Sequence, residues 1–129
     1  MCNNNVDSEI RVINKALDDI VYRDFVSDAE NIKIHLFSNI IDVDRFDIQK
    51  LYSLIIESFS GVNRMICSSP DNLRKKRIDD FCDLFSDSYS VRKEVKANEP
   101  IYGEVYYVAR GSYEQRRIGR YERQFTVEL

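Results

Sequence analysis

Apolar residues recur at helical spacing along most of the chain, and the pattern changes near Pro100. Val6, Ile10, Ile13, Leu17, Ile20 and Val21 fall on one face of a helix that Asn5 or Asp7 would cap. Ser27-Asp28-Ala29-Glu30 has the form of a capping box, and Ile32, Leu36, Phe37, Ile40 and Ile41 then make a second stripe with His35 beside it. Asp44 is placed to cap a third helix, with Val43 and Ile48 as a hydrophobic staple. Ile48, Leu51, Tyr52, Ile55, Phe59 and Val62 continue that stripe, and Gly61 supplies a left-handed stop. Ser69-Pro70-Asp71-Asn72 predicts a fourth start, with Leu73, Ile78, Phe81, Cys82, Leu84 and Phe85 on the buried side. From Ser86 to Asn98 polar residues dominate, as in a helical extension or a linker.

Beyond Pro100 the period shortens to two. Ile101, Gly103, Val105, Tyr107 and Ala109 share one face of a strand, and Tyr121, Arg123, Phe125, Val127 and Leu129 share one face of another. Between them Arg110-Gly111-Ser112 predicts a tight turn that sets Tyr106 opposite Arg117 and Tyr107 opposite Arg116. Gly119 marks a bulge or a second turn. The expected fold is α+β: an N-terminal bundle of three to four helices followed by a C-terminal antiparallel β-hairpin or small sheet. A single domain of residues 1–129 is expected, with a helical body over about 6–96 and the hairpin over about 100–129.

Charge is uneven. Residues 1–60 hold 6 Lys and Arg against 11 Asp and Glu, while residues 61–129 hold 13 against 11, within a net charge of −3. That positive excess is small beside the basic stripe of a DNA-binding domain. No apolar run approaches the roughly 18 residues that cross a bilayer, and the amino terminus lacks the form of a secretory signal, so a soluble cytoplasmic protein is expected. Cys2, Cys67 and Cys82 suit neither a disulfide framework nor a metal ribbon.

Catalytic chemistry is sparsely represented. There is one histidine, the 4 glycines form no phosphate loop, and no nucleophile sits beside a recognisable base. Asp42-Val43-Asp44-Arg45-Phe46-Asp47 alternates acids as a calcium loop does, but Phe46 stands where an oxygen ligand is needed and Ser53 replaces the closing Glu. No metal, no cofactor and no enzymatic activity are expected.

Two groups point to binding. Arg74, Lys75, Lys76 and Arg77 open the fourth expected helix, where backbone N–H groups favour an anion. Tyr106, Tyr107, Arg110, Arg116, Arg117 and Arg120, joined by Tyr113, Tyr121 and Arg123, give the hairpin the residue types enriched at binding hot spots. Three short stretches resemble family motifs. Arg116-Arg117-Ile118-Gly119-Arg120 resembles the RxxxR of PilZ domains, which bind a cyclic dinucleotide. Residues 119–127 are similar to one strand of small heat-shock proteins. Glu99-Pro100-Ile101-Tyr102-Gly103 resembles the EPIYA-type phosphorylation motif of secreted bacterial effectors. Each spans nine residues or fewer and extends to no domain.

The function expected is therefore a small non-enzymatic protein-interaction protein: an inhibitor, immunity factor, adaptor or accessory subunit of viral or mobile-element type. The alternative is a winged-helix-like nucleic-acid-binding regulator that uses residues 74–77 and the Arg-rich hairpin. The expected partner is another protein, with nucleic acid second, no membrane, and homo-oligomerisation left open.

Overall fold

The computed structural model describes residues 8–25, 28–94 and 101–129, with the backbone alone of residues 101, 102, 117 and 118. Asn5, Val6, Asp7, Ser27 and residues 95–100 lie outside the described residues. The element order is β1 (Lys33–Ser38), α1 (Ile48–Ser58), β2 (Val62–Pro70), α2 (Lys76–Ser86), β3 (Val91–Glu94), β4 (Ile101–Tyr107), β5 (Ser112–Ile118) and β6 (Arg120–Glu128), preceded by 3-10 turns at Leu17–Asp19 and Tyr22–Asp24.

The expected helical bundle is overturned: among the described residues there are two α-helices and six strands in two sheets. The described part of the first expected stripe runs through the two short turns, with Ile10 exposed and, among the described residues of that stripe, only Leu17 packed against the core. A helix there would have to bury its stripe, and the helix-facing side of the sheet is already covered. Leu36 and Phe37 of the second stripe lie in strand β1 rather than a helix, and Val62 belongs to β2. Ser69 and Pro70 end β2 rather than open a helix, Ser69 lying buried opposite Tyr121. Pro70 is tolerated at a strand end, where a missing N–H is least costly. Two helices separated by strand β2 do not form the helix-turn-helix pair of a winged-helix module.

Helix α1 begins one turn later than expected: Asp47, not Asp44, caps it, accepting a hydrogen bond from the Lys50 amide at 2.9 Å. Helix α2 has no side-chain cap, and its buried side carries the expected Ile78, Phe81, Cys82 and Phe85.

The four-stranded sheet has the order β1-β2-β6-β3. β1 and β2 run parallel, and β6 runs antiparallel to both β2 and β3. Strands β1, β2 and β3 thus share a direction, joined in turn by α1 and α2, and β6 is inserted between β2 and β3. Alternation assigns the two faces. Met65 and Cys67 of β2 with Phe125 and Val127 of β6 meet Leu51 and Ile55 of α1 and Phe81 and Phe85 of α2 in one core. Phe81, Phe85 and Phe125 form an aromatic cluster, with centroid separations of 5.4, 5.6 and 6.2 Å. Both helices therefore cover one face, and among the described residues no helix covers the other, open face.

β4 and β5 form a separate two-stranded sheet that pairs with no other described strand. β3 leads to β4, and β5 to β6. From the pair Glu94–Gln124 to the pair Ile101–Ile118 is seven residues on one side and six on the other, so the second ladder is one residue out of step with the first.

Candidate functional site

The hairpin β4–β5 holds Tyr106, Tyr107, Arg110, Tyr113, Arg116 and Arg117 of the expected binding residues. Gly111 turns the chain at φ +61°, as expected, and its amide donates to the Tyr107 carbonyl at 2.8 Å. The loop, however, spans residues 108–111, longer than the two-residue turn expected. Tyr106 consequently faces Tyr113 and Tyr107 faces Ser112, while Arg116 and Arg117 face Gly103 and Tyr102. The expected pairing is displaced by four positions.

One expected contact survives the shift. Opposite Arg116 is a glycine, which leaves its guanidinium free to reach along the face to the Tyr107 ring, 4.7 Å from the centroid. Arg110 approaches the same ring at 5.6 Å and pairs with Glu114 at 2.6 Å. On the opposite face Tyr106 and Tyr113 pack across the strands with centroids 4.9 Å apart, yet they remain 50% and 69% exposed. Val108 in the loop is also exposed.

At the base of the hairpin the Asp71 amide donates to the Gly119 carbonyl at 2.9 Å, and a Cβ on Gly119 would fall 2.8 Å from that of Asp71. Tyr121 donates to Asp79 of α2, Arg123 Nε donates to the same carboxylate at 3.1 Å, and the Arg123 guanidinium covers the Tyr121 ring at 4.0 Å. Burial first, then the bond to Asp79, raises the Tyr121 hydroxyl above its ordinary pKa. Arg120 is directed elsewhere, to Asn39 Oδ1 at 3.0 Å and Ser68 Oγ at 2.6 Å.

The basic run divides between the turn before α2 (Arg74, Lys75) and its first residues (Lys76, Arg77). Arg74 pairs with Asp44 at 2.6 Å, Lys75 with Asp71 at 2.6 Å and Lys76 with Asp80 at 2.9 Å. Arg77 donates to the carbonyls of Ile41 and Phe46 at 2.8 and 2.5 Å. Each cation of the run thus has an internal partner, and Lys75 alone approaches the hairpin base, 5.4 Å over the Tyr121 ring.

No family model, curated protein or solved structure matches the chain. Cys67 and Cys82 are buried, and the single histidine, His35, is half-buried. Burial pushes the Cys67 thiol up to about 12 and also raises that of Cys82. His35, on the helix-facing side of β1, stands 2.9 Å from Asn63 Oδ1 and edge-on to Phe59, and burial holds its pKa below the ordinary value. Among the described residues no three His, Cys, Asp or Glu side chains converge as a metal site, and no helix is long and apolar enough to cross a membrane.

Sequence reasoning missed the open face of the sheet. Ile34 and Leu36 of β1 project there, beside Arg64 and Ile66 of β2, while β6 and β3 add polar groups, with Arg64 donating to Glu94 and Gln124 at 2.8 and 2.9 Å. The two-residue alternation of Lys33 to Ser38 is the signal that identifies this strand.

Proposed function

We propose that the protein is a non-enzymatic protein-binding module whose partner docks on the β4–β5 hairpin. The observation that carries this reading is the exposed cross-strand pair Tyr106–Tyr113 on a sheet of only two strands. An isolated hairpin is marginally stable in water, and aromatic side chains left in solvent on one are explained by a partner that covers them. Arg116 over Tyr107 and the Arg110–Glu114 pair add a polar border to that surface. The internal pairing of residues 74–77 and the net charge of −3 favour a protein over a phosphate backbone. Elevated thiol pKa values and a half-buried histidine partnered by an amide support the absence of catalysis.

The test is affinity capture from the native host with and without nuclease, using the wild type, a Tyr106→Ala/Tyr113→Ala variant and an Arg116→Ala/Arg117→Ala variant. A polypeptide retained after nuclease and lost from the tyrosine variant is expected. Exposed changes such as those at Tyr106, Tyr113 and Arg116 typically alter stability by no more than about 0.5 kcal/mol, whereas a hot spot contributes about 2 kcal/mol or more to binding. Capture unaffected by both variants would place the partner elsewhere. A nuclease-sensitive catch with steep salt dependence would make nucleic acid the ligand.

A further inference from the structure

Strand β1 is the outer strand of the four-stranded sheet, and among the described residues nothing pairs with its free edge. Exposed edges are commonly blunted by a charge, a proline or a bulge. Here the only charged residue of the strand, Lys33, lies on the helix-facing side and donates to the Ser60 carbonyl at 2.5 Å. On the open side Ile32, Ile34 and Leu36 are 68%, 66% and 70% exposed. Three consecutive outward aliphatics beside unpaired backbone groups form a surface that pairing with another strand would cover.

We propose that β1 pairs antiparallel with β1 of a second copy about a two-fold axis at Ile34, joining two four-stranded sheets into one. The strip is self-complementary in this register: Ile34 meets its own counterpart, and Ile32 meets Leu36 of the second copy at both ends. Moving the axis to His35 would set Ile32 against Ser38, so the aliphatic match selects the axis.

Charge at the two ends matches as well. Exposed Asp28 and Glu30 precede the strip. Arg120 stands at its far end, bonded to Asn39 Oδ1 and to Ser68 Oγ, and Ser68 is the register neighbour of Ser38. Antiparallel pairing about Ile34 sets Glu30 opposite Ser38 of the second copy, bringing the acidic start of each strand to the Arg120 end of the other. A closed two-fold contact satisfies both ends equally.

Sedimentation equilibrium over about 1–100 μM tests the pairing, a range that resolves dissociation constants typical of modest dimers. The wild type is expected at twice the 15.2 kDa chain mass. Ile34→Lys, a change at an exposed position, is expected to give a monomer with an unaltered circular dichroism spectrum. Arg120→Glu should weaken the dimer by about tenfold or more, and adding Glu30→Arg to that chain should restore it. A monomeric wild type at the highest concentration would overturn the proposal. So would a dimer indifferent to Ile34→Lys, or one lost through Tyr113→Ala instead. Partner capture through the hairpin is a separate measurement, so either reading can fail alone.

Discussion

Tyr121 donates its hydroxyl to Asp79 Oδ2 at 2.5 Å, tying the strand that enters the sheet from the hairpin to the first half of α2. Asp79 also accepts from Arg123, so one carboxylate fixes two side chains of β6 at the base of the arm. Tyr121→Phe should therefore lower stability by about 1 kcal/mol, the usual net worth of such a bond. Asp79→Ala, which leaves both donors without their acceptor, should remove about 1–3 kcal/mol. Denaturant midpoints at unchanged m-value check both.

His35 sets an acid-side pH dependence. Burial lowers its pKa from the ordinary 6.5, so below that value the unfolded chain binds a proton that the folded chain refuses. Stability is then full above pH 6.5 and falls as pH drops toward the depressed folded pKa. The chain has one histidine, so His35→Gln should flatten the dependence between about pH 7 and 5. A slope that persists in the variant would assign the effect to carboxylates.

What was legible in the sequence followed from how ordinary each element's burial is. α2 and β6 bury the faces their patterns mark, and Gly111 sits where a positive φ is needed. β1 inverts the rule. Its aliphatics Ile34 and Leu36 point to the open side while Lys33 and His35 turn toward the helices, so Ile32, Leu36 and Ile40, four apart, imitate a helical stripe. β2 faces the core with Asn63, Met65, Cys67 and Ser69, two of them polar, which weakens the alternation that would mark a central strand. Of the candidate binding residues, Tyr106, Tyr107, Arg110 and Arg116 fall together on the hairpin, but its register depends on loop length, which Gly111 alone does not specify. The imitation of a helical stripe hides the aliphatic strip on β1, which only the two-residue alternation of Lys33 to Ser38 marks.

Gly61 joins the end of α1 to β2 at φ +75°, exchanging backbone hydrogen bonds with Leu129 in both directions at 2.9 Å. A Cβ there would lie 2.1 Å from the Ala29 carbonyl oxygen. Backbone movement is the only relief, because the obstacle is main chain. Left-handed geometry alone costs a non-glycine residue about 1–2 kcal/mol, so Gly61→Ala should lose more than that once the clash is included. The opposite control is Gly111→Ala, where a Cβ meets nothing within 4 Å and only the conformational term applies. Thermal melts of the two variants should therefore rank Gly61→Ala well below Gly111→Ala.

The sequence pattern puts Leu73 and Phe85 on the same buried stripe, and the structure separates them. Leu73 is 102% exposed in the turn before α2, whereas Phe85 is fully buried against Tyr52, Phe81 and Phe125. Removing a buried aromatic side chain forfeits its transfer free energy and leaves a cavity that neighbouring rings fill only in part. Phe85→Ala and Phe81→Ala should each cost about 3–5 kcal/mol, a large share of the 5–15 kcal/mol that stabilises a typical domain. Leu73→Ala, with no contact to lose, should stay within about 0.5 kcal/mol of the wild type. Equilibrium urea unfolding of the three variants separates the cases: a Leu73→Ala loss comparable to that of Phe85→Ala would mean that the β2–α2 turn packs against the core in solution.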